Sequence, residues 1–231
     1  MTTTLGFDVY GTLIDTAGIA KALAAHVGQR AAHFSTFWRS KQLEYAFRRG
    51  LMQNYRDFSV CTRQALDFTA GHFKVSLSDA DATGLMEQYR HLPAYPDVAE
   101  GLQRLRARAF RMYAFSMGRT EDVTALLRRA HLAEYLDGVI TLEDARLFKP
   151  SPAAYSLFVR AAGCAGSEAW VVSGNPFDVV GAVSAGLKGA WIKRSPDAVF
   201  DPWEVQATLT VEDLPALDEA LRVIFGKRPP A

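Results

Sequence analysis

Leu5-Gly6-Phe7-Asp8-Val9-Tyr10-Gly11-Thr12-Leu13 carries the pattern of a buried strand that ends in a polar turn. Residues 5–7 are continuously apolar rather than alternating, which is how a strand covered on both faces reads. Asp8 follows at once and Gly11 marks a turn. Outward from this stretch, residues 112–115, 139–141, 170–172 and 190–192 repeat the same short apolar character. Helical patterns lie between them. Asp97 and Glu100 have the spacing of a capping box before Leu102 and Leu105. Ser151 and Pro152 read as an N-cap and first helical residue, with Gly163 as the stop. Residues 176–185 read as another helix, ended by Gly186. Strands alternating with helices predict an α/β fold with a doubly wound, mainly parallel Rossmann-like sheet.

From Asp15 to Leu92 the alternation breaks. Ile19, Leu23 and Val27 recur at helical spacing, as do Phe34, Phe37, Trp38 and Tyr45. Leu66, Phe73, Leu85 and Tyr89 suggest two more helices. The reading is an inserted helical cap domain over residues 15–92, with residues 1–14 and 93–231 forming the core. Pro93-Ala94-Tyr95-Pro96 is a proline-rich joint at the return point.

Composition narrows the function classes. The 231 residues carry 26 Lys+Arg against 25 Asp+Glu, so there is no field to attract nucleic acid. A chain of this length buries roughly 70–75% of its unfolded surface and needs no disulfide or structural metal to fold. Cys61 and Cys164 are far apart and have no CxxC partner, which suits a reducing, cytoplasmic setting. No apolar stretch approaches the roughly 18 residues of a membrane span, and the first residues do not read as a signal peptide. The five histidines show no HxH or HExxH spacing, so no metal is expected from them. Arg104, Arg106 and Arg108 read as a solvated helix face, and Arg228-Pro229-Pro230-Ala231 as a frayed end.

In an open α/β sheet, ligands bind outside the carboxyl ends of the strands. Asp8 to Thr12 stand after the first strand, Ser116-Met117-Gly118 after the second, Lys149-Pro150 beyond the third, and Ser173-Gly174-Asn175-Pro176-Phe177-Asp178 after the fourth. Singly each of these is a turn former or a helix cap. Their arrival at successive strand ends predicts one site. A carboxylate facing the backbone N–H groups of a glycine-containing turn can act as a nucleophile and form a covalent ester, so Asp8 is the candidate nucleophile. Lys149 has the charge to hold Asp8 ionised by ion pairing.

The order of these residues resembles the haloacid dehalogenase superfamily across essentially the whole chain. Phe7 to Leu13 look like its first motif, Ser116 its second, Lys149-Pro150 its third, and Ser173 to Asp178 its fourth. Trp38-Arg39-Ser40-Lys41-Gln42-Leu43-Glu44-Tyr45 is similar to the cap segment of the L-2-haloacid dehalogenases. The resemblance implies a catalytic set of Asp8, Thr12, Lys149, Asp178 and Arg39. Asp178 would prepare the water of a second step, and Arg39 would face the departing halide or the substrate carboxylate. Tyr10, Ser116, Met117, Tyr155, Ser173, Asn175, Phe177 and Phe58 would surround a small-molecule carboxylate substrate. The implied reaction is hydrolysis of the carbon–halogen bond of a small 2-haloalkanoic acid to a 2-hydroxy acid. It needs no cofactor and no metal, and the implied assembly is a homodimer.

Two departures stand out. Superfamily phosphatases carry a second aspartate two residues after the nucleophile and usually two acidic residues in the fourth motif. Here those places hold Tyr10 and a lone Asp178, which disfavours a magnesium phosphatase. The dehalogenases read Ser-Asn-Gly in the second motif, where this chain has Met117, an apolar residue with only a weak acceptor. Two alternatives therefore stay open. One is a metal-independent hydrolase of another small 2-substituted carboxylic acid, such as a strained ring amine, on the same fold. The other is a weakly catalytic member of the superfamily.

Overall fold

The computed structural model describes residues 3–226. Six parallel strands form one sheet in the order β3-β2-β1-β4-β5-β6: β1 Thr4–Phe7, β2 Arg111–Ser116, β3 Gly138–Thr141, β4 Ala169–Ser173, β5 Lys188–Ile192 and β6 Leu209–Val211. The chain runs outward from β1 to β3, then returns to place β4 on the other side of β1. The carboxyl end of β1 is thus the switch point where such sheets open a crevice, and Asp8 stands there.

Burial explains why the strands lack alternation. Leu5 and Phe7 of β1 join the apolar cluster on one face, with Met112, Ala114, Trp170 and Val172. Val171 joins the cluster on the opposite face, with Tyr155, Phe158 and Ala182. Gly6 points to that second face, where an added Cβ would lie 2.5 Å from the Phe158 ring, so the residue must stay without a side chain. Helices α5 Val98–Arg106, α6 Thr120–Arg129 and α9 Leu214–Phe225 supply Leu102, Leu126 and Leu217 to the first cluster. Helices α7 Pro152–Ala162 and α8 Pro176–Ser184 cover the second face.

Between β1 and α5 lie four helices that form the inserted cap: α1 Ile19–Val27, α2 Ala31–Leu51, α3 Phe58–Phe73 and α4 Asp79–Tyr89. The apolar residues that predicted them are on their inner faces. Ile19, Leu23, Phe34, Trp38, Leu66 and Leu85 are fully or almost fully buried. The Trp38 indole N–H donates to the Thr62 carbonyl at 2.9 Å and locks α2 to α3. The chain enters and leaves the insertion side by side. Ile14 bridges Ala94 in antiparallel fashion, the Asp15 N–H donates to Pro93 O at 2.8 Å, and the Tyr95 N–H donates to Leu13 O at 3.0 Å.

Some local expectations change. Strand β6 and helix α9 have no counterpart in the sequence reading. β6 is a three-residue edge strand, too short to show a period. Asp97 precedes α5, but its carboxylate makes no capping bond to that helix. It accepts instead from Arg194 and from the Leu214 N–H at the start of α9. Arg108 is not on a solvated face: it pairs with the buried Asp218 of α9, through Nη2 to Oδ2 at 2.9 Å and through Nε to Oδ1. Arg104 and Arg106 are exposed, as expected. The tail at residues 228–231 lies outside the described residues. Among the described residues no helix is long and apolar enough to cross a membrane.

Candidate active site

Asp8 sits at the end of β1 with its carboxylate held from three directions. The Thr12 hydroxyl donates to Oδ2 at 2.8 Å, the Asn175 amide donates to the same oxygen at 2.7 Å, and the Lys149 ammonium donates to Oδ1 at 3.2 Å. Each donor comes from a different part of the fold. Thr12 is carried by the turn after β1, Asn175 is the N-cap of α8, and Lys149 lies just before α7. Gly11 makes the turn possible with φ of 86°. Gly174 closes on it: a Cβ there would lie 2.3 Å from Gly11 O, so the fourth motif approaches the first backbone to backbone. The Gly174 N–H donates to the Thr12 hydroxyl at 2.8 Å, which leaves the hydroxyl proton for Asp8.

Lys149 is fully buried and spends all three of its protons. Besides Asp8 it donates to Asp178 Oδ2 and to Phe115 O, both at 2.8 Å. Burial pulls its pKa down, but the charges of Asp178 and Asp8 outweigh that effect and leave it above the ordinary lysine value. The fully buried Asp178 is pushed up by burial, held back in part by Lys149, and pushed up further by Asp8. The Tyr155 hydroxyl donates to Asp178 Oδ1 at 2.9 Å. Burial, with the Asp178 charge beside it, raises the Tyr155 phenol far above its usual range, so it stays a neutral donor. Carboxylate, ammonium and carboxylate therefore form one chain, and the ammonium fills the space between the acids. Among the described residues no three His, Cys, Asp or Glu side chains gather where they could hold a metal.

The cap supplies the opposite wall. Arg39 on α2 reaches across to the core and donates to Tyr10 O at 3.2 Å. Its other terminal nitrogen donates to the Gln42 side-chain oxygen at 3.3 Å. Both acceptors are neutral, so neither cancels its charge. The guanidinium carbon lies 6.0 Å from the Phe58 ring centroid. Beside Tyr10, where cap and core meet, is a cleft of about 260 Å³ lined by Tyr10, Phe58, Thr62, Met86, Tyr89 and Gly118 among others; Asp8, Lys149 and Arg39 are not part of its lining. Burial raises the Tyr10 phenol, which stays un-ionised. Arg90, just past α4, pairs with Asp122 of α6 at 3.2 Å and ties cap to core at the cleft.

The predicted residues do not all share one network. Asp8, Thr12, Lys149, Tyr155, Asn175 and Asp178 are wired together, and Arg39 joins them through Tyr10 O, which also accepts from Asn175 at 3.1 Å. Ser116 and Ser173 use their hydroxyl oxygens locally, accepting from the Gly118 and Asn175 N–H groups, each at 3.1 Å. Met117 is 8% exposed and belongs to the same apolar cluster as Phe58 and Phe115. Phe177 packs edge-on against Phe47 of α2, with centroids 5.0 Å apart.

Three participants escaped the sequence reading. Gln42 is fully buried and bridges Arg39 to the Tyr89 hydroxyl, to which it donates at 2.8 Å. Its signal lay inside the cap segment quoted above. Tyr89 appeared only as a core residue at helical spacing. Arg194 follows β5, and its place at a strand's carboxyl end was the available clue.

Comparisons with known proteins agree with this geometry. A sequence profile for haloacid dehalogenase-like hydrolases matches residues 2–186. Haloacetate dehalogenase H-2 of Moraxella sp. (strain B) is 34% identical over 220 residues, covering 95% of this chain and 96% of that protein. The (S)-2-haloacid dehalogenase of Pseudomonas fluorescens is 33% identical, covering 90% of this chain and 91% of its own. The solved structure of L-2-haloacid dehalogenase from Xanthobacter autotrophicus with chloropropionic acid covalently bound superposes with a TM-score of 0.90 at 29% identity, over 96% of this chain and 99% of that one. With a shared profile, a shared fold and relatives matched nearly end to end, the chain belongs to the haloacid dehalogenase-like hydrolase family.

Proposed function

We propose that this protein is an (S)-2-haloacid dehalogenase, a hydrolase that converts small 2-haloalkanoic acids to 2-hydroxy acids through an aspartyl ester. The observation that carries the reading is the Asp8 carboxylate, ion-paired to a fully buried lysine and held by Thr12 and Asn175. Arg39 of the cap reaches the same turn at Tyr10 O, and both of its hydrogen-bond acceptors are neutral. In the first step an Asp8 oxygen attacks C2. The carbon–halogen bond breaks with its electron pair on the halide, and configuration at C2 inverts. Thr12, Asn175 and Lys149 hold the carboxylate in one orientation, which is where most of the rate gain from a preset geometry arises. Arg39 offers charge and donors to the leaving anion or the substrate carboxylate.

In the second step water attacks the ester carbonyl carbon of Asp8. Asp178, its pKa raised by burial, takes one water proton as base. The ester collapses, the departing alkoxide takes the proton from Asp178, the second water proton passes to solvent, and Asp8 is restored as a carboxylate carrying an oxygen from water. Lys149 places a positive charge between two carboxylates without a metal ion, and activity should survive a chelator.

In the same reading, residues 15–92 act as the cap and residues 1–14 with 93–231 as the core; the paired crossing at Ile14 and Ala94 supports the division. A cytoplasmic homodimer fits two free cysteines, Cys61 and Cys164, and apolar side chains left exposed on the cap at Leu51, Met52 and Phe68. The deciding experiment is halide release from a panel of 2-haloacids, with and without chelator, followed by a single turnover in ¹⁸O water. The label is expected first in the Asp8 carboxylate, and Asp8→Asn should abolish turnover while leaving the fold intact. Label appearing directly in the hydroxy acid would rule out the ester. Opening of a strained ring amine with no halide release would move the protein to another leaving group.

A further inference from the structure

Thr12 is held from behind as well as from in front. Its hydroxyl faces Asp8, and its carbonyl points the other way, to Arg194. The Arg194 guanidinium donates to Thr12 O through Nη2 at 2.6 Å and Nε at 3.2 Å. Its third nitrogen donates to Asp97 Oδ1 at 2.7 Å, and Asp97 Oδ2 in turn accepts from the Leu214 N–H at 3.0 Å. The guanidinium carbon stacks 4.3 Å from the Tyr95 ring centroid. Arg194 is 11% exposed and Asp97 19%, so the pair is largely shielded from water and the fork is held on all sides. Its anchors are the returning strand of the cap crossing and the start of α9, both part of the rigid core.

We propose that Arg194 is a positioning residue for catalysis: it fixes the Thr12 backbone, and so sets the Thr12 hydroxyl against Asp8. The inference rests on the dehalogenase reading above. The turn after β1 is also tethered through Val9 O, which accepts from the Thr12, Leu13 and Ile14 N–H groups, through Leu13 O to Tyr95, and through Tyr10 O to Asn175 and Arg39. None of those bonds reaches the Thr12 carbonyl. The Arg194 fork supplies the missing restraint from the outer side, while Gly174 supplies it from the inner side. A tilt that lengthens the Thr12 to Asp8 bond leaves that carboxylate oxygen held by Asn175 alone and loosens the attack geometry. Displacements of about 1 Å at such a place cost about 10²-fold in rate.

The test is a double-mutant cycle in halide release from L-2-chloropropionate. Arg194→Met should lower kcat by about tenfold to a hundredfold with KM within about threefold. Arg194→Lys should recover part of the loss, since an ammonium lacks the fork that serves two acceptors. Thr12→Val alone should be slow, and adding Arg194→Met to it should cost nothing more, because the arginine acts through Thr12. An unchanged kcat in Arg194→Met, or losses that multiply in the double variant, would overturn the inference. If Arg194→Met does not fold, Asp97→Asn runs the same cycle with a smaller expected loss. A second readout needs no substrate: with ¹³C-labelled aspartate, the Asp8 carboxyl resonance, identified by its disappearance in Asp8→Asn, should move in Arg194→Met (or in Asp97→Asn) toward its position in Thr12→Val. A resonance that stays at the wild-type position rejects the inference. A wild type that releases no halide would defeat the dehalogenase reading, and this resonance would still decide the role of Arg194.

Discussion

The two walls of the site are built on opposite electrostatic plans. On the core wall every charged group has a partner: the fully buried ammonium of Lys149 is shared between the carboxylates of Asp8 and Asp178, with Tyr155 and Phe115 O closing the remaining valences. On the cap wall the charge of Arg39 meets only a backbone carbonyl and a side-chain amide. The core wall is therefore complete without a ligand, and the cap wall is electrostatically open to an anion. The difference teaches a division of labour. In the proposed reaction the core holds the nucleophile and the base in a fixed geometry, and the cap receives the charge that develops as the halide leaves.

The largest loss is expected at Lys149. Lys149→Met leaves two buried carboxylates facing each other without a counter-charge. The expected result is loss of activity and about 3–5 kcal/mol of stability, read by denaturant unfolding. In the wild type, the raised Lys149 pKa gives a signed pH dependence. Its ion pairs contribute stability in full below the ordinary lysine range, and that contribution is lost as pH rises through the elevated native value. A fully active Lys149→Met enzyme would refute the plan of the core wall.

On the cap wall, Arg39→Ala should leave stability nearly unchanged but lower chloride release from L-2-chloropropionate by about 10²-fold or more, the scale of one lost charge-stabilising donor. Met117 probes the same function from the core side. It lies in an apolar cluster where the family's dehalogenases carry an asparagine, so Met117→Asn should speed chloride release by up to about 10²-fold. The buried amide should also lower the melting temperature, in line with about 1–3 kcal/mol for a poorly paired polar group. Brisk release in the wild type with no gain in Met117→Asn would instead make the methionine a pocket-shaping residue.

The smallest expected effect lies at Tyr155. Its hydroxyl stabilises ionised Asp178, whose pKa already stands above the ordinary carboxylate value because of burial. Tyr155→Phe should therefore move the acid limb of the pH–rate profile to higher pH and lower kcat severalfold, on the scale of about 1 kcal/mol for a typical hydrogen bond. A shift to lower pH would show that Asp178 is not the titrating base.

How much of this could be read in advance follows a physical line. The strands were legible because burial on both faces leaves an unbroken apolar run, as at residues 170–172. The cap helices were legible because Ile19, Leu23 and Val27 must share one face. Asp8, Lys149 and Asp178 were legible because a parallel sheet delivers successive strand ends to one rim. Strand β6 was not, since three residues at an edge carry no period. Nor was the true partner of Asp97: its spacing to Glu100 suggests a helix cap, and only the folded chain shows that Arg194, 97 residues on, takes the carboxylate. Gln42 and Arg194 share this character. Neither touches Asp8; each acts by holding a residue that lies near it. Local chain chemistry encodes periodicity, turns and rim residues, because these depend on neighbours a few positions away. Which polar groups meet across distant loops depends on how the layers pack, and that was settled only when the cap, the sheet and the loop after β5 closed around the turn at Thr12.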